Sequence, residues 1–128
     1  MIARQTFHFR LDTSSGVPVY RQLIDQVQAG LATGTLEVGH QLPTVRQVAV
    51  DLAINPNTVM RAYRELEIRG VLDTQQGTGT FIAPQRPQVG DDGRALRLDQ
   101  LIDEFAARAG AGGFTLEEIL EALKERGK

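Results

Sequence analysis

Apolar residues recur at helical spacing in five stretches of this chain, while strand-like patterns occupy its start and its middle. Behind Pro18, Tyr20, Leu23, Ile24, Val27 and Leu31 share one helix face, and Gly34 ends the stretch. Val45, Val48, Ala49 and Leu52 then follow the i, i+3, i+4, i+7 pattern of a second buried face. Thr44 ahead of them and Gln47 three residues on form a capping box, so the spacing predicts a helix that starts at Val45. After a break at Ala53-Ile54, Asn55 supplies an N-cap and Pro56 fills the first helical position, where its missing N–H costs nothing. The third helix buries Val59, Ala62, Tyr63 and Leu66, and Gly70 closes it just past its C-cap.

On the side of the third helix opposite that stripe, a 100° step per residue places Asn57, Arg61, Arg64 and Ile68. Its N-terminal half is therefore polar and cationic. Val71 to Gln76 and Thr80 to Ala83, rich in strand formers, flank Gly77-Thr78-Gly79 as a hairpin with a three-residue tip. Two capped helices across a short turn, followed by a glycine-tipped hairpin, predict a mainly α winged helix-turn-helix with a small β wing. Such a helix enters the major groove of duplex DNA, where arginine bridges guanine O6 and N7 and asparagine pairs with adenine. A tip without bulky side chains approaches the phosphates or the minor groove, offering Gln75, Gln76, Thr78 and backbone N–H groups.

Thr6 to Leu11 alternates polar and apolar residues around Phe7, Phe9 and Leu11, which suits a short strand whose partner is not visible from sequence. Pro84, Pro87, Gly90 and Gly93 mark residues 84–93 as a linker between a DNA-binding domain over 1–83 and a tail over 94–128. In that tail Leu98, Leu101, Ile102, Phe105, Ala106 and Ala109 form one apolar stripe, stopped by glycines from Gly110 to Gly113. Thr115 and Glu118 make another capping box, and Phe114 with Ile119 a hydrophobic staple, for a helix whose buried face is Leu116, Ile119, Leu120 and Leu123. This α-helical hairpin is too small to enclose its own apolar faces. A second copy of the chain is the most economical cover, because a two-fold dimer offers two recognition helices to half-sites about one DNA turn apart. Folding back onto the DNA-binding domain is the other way to cover it.

Composition narrows the choice. The net charge of −2 over 128 residues divides unevenly: residues 1–88 hold eight arginines and seven acids, residues 89–128 six basic residues and nine acids. Both lysines, Lys124 and Lys128, lie in the tail, so the DNA-facing charge is arginine alone, which favours a local footprint with base contacts over a diffuse one. The absence of cysteine excludes disulfides and thiolate chemistry. No stretch is apolar enough to span a membrane, so a cytoplasmic location is expected.

The runs Pro18-Val19-Tyr20-Arg21-Gln22-Leu23, Gly34-Thr35-Leu36, Gly39, Leu42-Pro43-Thr44-Val45-Arg46-Gln47-Val48-Ala49, Asn55-Pro56-Asn57-Thr58-Val59 and Gly77-Thr78-Gly79-Thr80-Phe81 resemble the GntR family of bacterial transcription regulators. The likeness covers residues 17–83 in order, and the short two-helix tail looks like that of the YtrA-type subfamily. The resemblance implies that Arg46 reaches a base or phosphate from the start of the second helix. It also implies that Thr44, Asn57, Thr58 and Arg61 lie at the DNA interface and Gly79 in the wing, and that the chain represses an operon for a membrane transporter. The family commonly has serine where Thr44 stands, which keeps the capping hydroxyl. It commonly has arginine where Met60 stands, which leaves that contact to Arg61 or Arg64.

The expected function is thus sequence-specific DNA binding by a homodimeric repressor, through Thr44, Arg46, Asn57, Thr58, Arg61, Arg64, Gln76, Gly77, Thr78 and Gly79. The competing reading is a winged-helix protein-interaction module, which steep salt dependence on duplex DNA would exclude. Arg64 has a local alternative in Glu65 or Glu67, and Tyr20 and Tyr63 are expected in the core. Catalysis, metal and cofactor binding are not expected: His8 and His40 stand far apart, Asp91-Asp92 lie in the linker, and Glu117-Glu118 suit a helix start. Gly77-Thr78-Gly79 lacks the Gly-Lys-Ser/Thr of a nucleotide loop. No polar cluster marks an effector pocket.

Overall fold

The computed structural model describes residues 6–84 and 91–127, for Asp91 and Asp92 the backbone alone. It divides into two units, Met1–Gln85 and Arg86–Lys128. The first carries α1 (Val19–Thr33), β1 (Gln41–Leu42), α2 (Val45–Leu52), α3 (Pro56–Ile68), β2 (Leu72–Gln75) and β3 (Gly79–Ile82), and the second α4 (Asp91–Ala111) and α5 (Leu116–Arg126).

In the first unit α3 packs against both α1 and α2. Leu23, Ile24 and Val27 of α1 meet Val59, Ala62, Tyr63 and Leu66 of α3 in one core, joined by Leu36, Val48, Leu72 and Ile82. Each fully buried side chain of this size contributes about 1.5–3 kcal/mol. Gly30 lies on the inner face of α1, where an added Cβ would stand 2.9 Å from Leu36 Cδ1. Its carbonyl accepts from the Leu36 N–H at 2.9 Å. Glycine is what lets the chain fold back so closely over its own helix.

The helix-turn-helix forms as its local signals specify. Thr44 Oγ1 accepts from Gln47 N at 3.1 Å while Gln47 Oε1 accepts from Thr44 N at 2.8 Å. Ala53 ends α2 in the left-handed region at φ 55°, a conformation that costs a residue with a Cβ about 1–2 kcal/mol. Asn55 Oδ1 then caps α3 by accepting from Asn57 N at 2.8 Å. One long-range bond braces the pair: the Tyr63 hydroxyl donates to the Pro43 carbonyl at 2.5 Å, one residue ahead of the α2 cap. Burial pushes the Tyr63 phenol up, so the hydroxyl keeps its proton and remains a donor.

The sheet has three antiparallel strands in the order β1-β3-β2, where the sequence shows only the hairpin. Gln41 pairs with Phe81 and Leu42 with Thr80, while Leu72 to Gln75 pair with Ile82 to Gly79. The tip therefore spans 76–78, one residue earlier than expected, and Gly79 belongs to β3.

Residues 6–11 do not form the expected strand. Phe9 is buried, and Phe7 stands edge-on to it with ring centroids 5.0 Å apart. Two glutamines of α1 take the place of a neighbouring strand. Gln26 accepts from Arg10 N at 2.8 Å and donates to Arg10 O at 2.6 Å, and Gln22 accepts from Asp12 N at 2.9 Å and donates to Asp12 O at 3.0 Å. The alternation marked which side chains turn inward; the backbone partners came from helix side chains.

In the second unit, α4 begins at Asp91, inside the stretch expected as linker, and runs through Gly110 to Ala111. Of the rest of that linker, residues 85–90 lie outside the described residues. Thr115 and Glu118 form their capping box, with Glu118 N donating to Thr115 Oγ1 at 3.2 Å. No described residue of either helix is buried. The apolar faces stand open in the single chain, Leu116 at 69% and Leu123 at 52% exposure, with only Ala109 and Ile119 half-covered. Two amphipathic helices have too little surface between them to do otherwise.

Candidate nucleic-acid interface

The exposed face of α3 carries Asn57, Met60, Arg61 and Arg64, with Thr58 half-buried at its edge. Arg46 stands exposed in the first turn of α2, next to the capping residue Thr44. Among the described residues, the side chains of Arg46, Arg61 and Arg64 make no hydrogen bond or ion pair. The acids that compete for them locally are engaged or apart: Glu65 binds Arg69 at 3.2 Å rather than Arg64, and on α1 Arg21 pairs with Asp25 at 3.4 Å. Both are exposed i, i+4 pairs of small energetic weight, and neither includes Arg46, Arg61 or Arg64.

Arg61 is nevertheless not loose. Its Cζ lies 3.7 Å from the centroid of the Tyr20 ring on α1. Tyr20, expected as a core residue, is half-buried and packs against the core with its other surfaces. Helical spacing assigned its face correctly but gave no sign of a contact with α3.

The wing presents Gln76, Gly77 and Thr78 in the open, with Gly79 half-buried behind them. Thr78 N donates to Gln75 O at 3.0 Å across a turn in which Gly77 has φ 76°. Gly79 suits its φ of 138°, which a side chain would strain, and a Cβ there would also displace the end of the Gln41 side chain. That amide donates to the Thr78 carbonyl at 3.2 Å, so β1 holds the tip in place. Sequence inspection missed Gln41, because a two-residue strand has no periodicity to show.

Chemically, the first unit offers planar guanidinium donors, a side-chain amide and backbone groups at a narrow tip, a set suited to base edges and phosphates. The α4/α5 unit offers something different. Phe105, Ala109, Phe114, Ile119 and Leu123 line a groove of about 620 Å³ between its helices, together with Arg108, Glu118 and Arg126. Among the described residues no cluster of acids and histidines suits a metal ion, and no helix is long and apolar enough to cross a membrane.

Comparison with known proteins gives consistent results. The family model described as bacterial regulatory proteins, gntR family, matches residues 19–82. The HTH-type transcriptional repressor YtrA of Bacillus subtilis is 33% identical over 116 residues, covering 91% of this chain and 89% of that protein. A transcriptional antiterminator from Listeria monocytogenes superposes with a TM-score of 0.66 at 29% identity, covering 97% of this chain and 92% of that one. YtrA from Sulfolobus acidocaldarius, a GntR-family transcription factor, gives 0.55 at 26% identity over 91% and 94% of the two chains.

Proposed function

The chain belongs to the GntR family of bacterial transcription regulators, in its YtrA-like branch, and we propose that it acts as a homodimeric repressor occupying an inverted-repeat operator. The observation that carries this reading is the exposed set Arg46, Arg61 and Arg64, free of acidic partners among the described residues and followed in the chain by a glycine-tipped wing. Arg46, Asn57, Arg61 and Arg64 are assigned to base edges or phosphates of the major groove, with Thr44 and Thr58 beside them. Gln76, Gly77, Thr78 and Gly79 are assigned to the backbone or the minor groove at the wing.

The tail, residues 94–128 together with the helical turn from Asp91, serves as the dimerisation element in this reading. Its support is the open apolar face of Leu98, Leu101, Ile102, Phe105, Leu116, Leu120 and Leu123, with Ile119 half-covered. Pairing matters because a nearly neutral DNA-binding unit with few cationic contacts gains little from non-specific attraction, and two linked half-sites supply the missing affinity. The chain works in the cytoplasm and performs no catalysis, in keeping with relatives that are transcription regulators.

Selection from a pool of random duplexes tests the proposal. An inverted repeat with half-sites about one helical turn apart is expected. Recovery of no preferred sequence, or of a lone half-site, overturns it.

A further inference from the structure

Tyr20 opens the apolar face of α1, yet only part of its ring faces the core. The guanidinium of Arg61 lies over the ring face at 3.7 Å, and no carboxylate among the described residues pairs with it. Stacking of this kind engages the flat face of a guanidinium, while its five N–H donors lie in the plane and point outward. A stacked arginine therefore keeps its donor edge for a guanine or a phosphate and gives up much of its side-chain freedom before DNA arrives. Arg46 and Arg64 have no ring beneath them among the described residues. They must be ordered at the moment of binding, which costs affinity that Arg61 does not lose.

We propose that Tyr20 is a positioning residue for Arg61, holding its guanidinium from α1 so that the N–H edge is presented to duplex DNA. The proposal rests on the reading of Arg61 as a DNA contact and deepens it. It places a determinant of base preference outside the helix-turn-helix, on α1. The expected size is that of an exposed cation–π contact, about two- to fivefold in affinity.

The test uses the full chain and a duplex that it selects from random DNA, with binding followed by fluorescence anisotropy. Tyr20→Phe keeps the ring and should bind like the wild type. Tyr20→Leu should bind about two- to fivefold more weakly and lose preference at the same base pairs as Arg61→Ala. Added to Arg61→Ala, Tyr20→Leu should cost nothing further, which separates positioning from a general loss of folding. An equal loss in both backgrounds, a Phe variant as weak as the Leu variant, or a Leu variant that binds as well as or better than the wild type overturns the proposal. Unchanged binding by Arg61→Ala alone overturns the assignment of Arg61 to DNA and that of Tyr20 with it. A loss in Arg61→Ala without coupling to Tyr20 overturns only the latter.

Discussion

Leu23, Ile24, Leu66 and Ile82 in the DNA-binding unit expose 2% of their surface or less, whereas Leu101, Ile102, Phe105 and Leu120 in the tail expose 44–54%. Both units have clean helical periodicity, and both carry a complete capping box, Thr44 with Gln47 in one and Thr115 with Glu118 in the other. Local signals therefore do not distinguish them. Three helices and a sheet surround a common interior, while two helices leave their apolar faces open. The first unit contains the groups that suit DNA, on a scaffold that packs its own core without a partner. The second contains surface that is stable only when something covers it, and in the proposed account that cover is its own counterpart.

The sharpest way to break this contrast is to cut one leucine from each side. Leu66→Ala should lower stability by about 2–5 kcal/mol in urea unfolding. Leu101→Ala should leave the unfolding of the dilute chain unchanged and shift only self-association. Equal effects in dilute solution would place both residues in one core and end the distinction.

Charge in the tail is the next test. Leu101→Asp combined with Leu120→Asp should separate the dimer, costing about 3 kcal/mol or more of association if both positions are enclosed. Sedimentation should then report a monomer whose first unit melts as before. A dimer that survives would move the interface elsewhere.

Arg46→Ala and Arg64→Ala should each weaken operator binding by about 1–3 kcal/mol, read by anisotropy, with dimerisation and melting unaffected. An effect on melting instead would make these side chains structural. Smallest is the pair of caps: Thr44→Ala should lower the urea midpoint by about 1 kcal/mol worth of stability. Thr115→Ala, a chemically similar loss, should appear only as weaker self-association.

How much of this was legible in the sequence depended on the range of the signal. The starts of α2, α3 and α5 were legible because caps act over three residues, and Thr44, Asn55 and Thr115 form the bonds their positions suggest. Alternation at Phe7, Phe9 and Leu11 was misleading, since period two reports which side chains turn inward and says nothing of who bonds the backbone. Gln22 and Gln26 do that from another element. Gly93 and Gly110 looked like breaks, but glycine inside a helix costs only about 1 kcal/mol, and α4 runs through both. In the candidate interface, Asn57, Arg61 and Arg64 were singled out by their place on one helix face, and Arg46 by the resemblance to the GntR family. The Tyr20 ring under Arg61 and the Gln41 amide against the wing were missed, because each joins elements distant in sequence and leaves no local trace.

The central claim is that the tail pairs two DNA-binding units. It is tested most directly by the mass of the complex formed on the selected duplex, measured by sedimentation for the wild type and for the Leu101→Asp/Leu120→Asp chain. The account predicts two wild-type chains on one duplex, and for the variant a single weakly bound chain or none. Two variant chains bound as tightly as the wild type, or one wild-type chain on the intact operator, would contradict it.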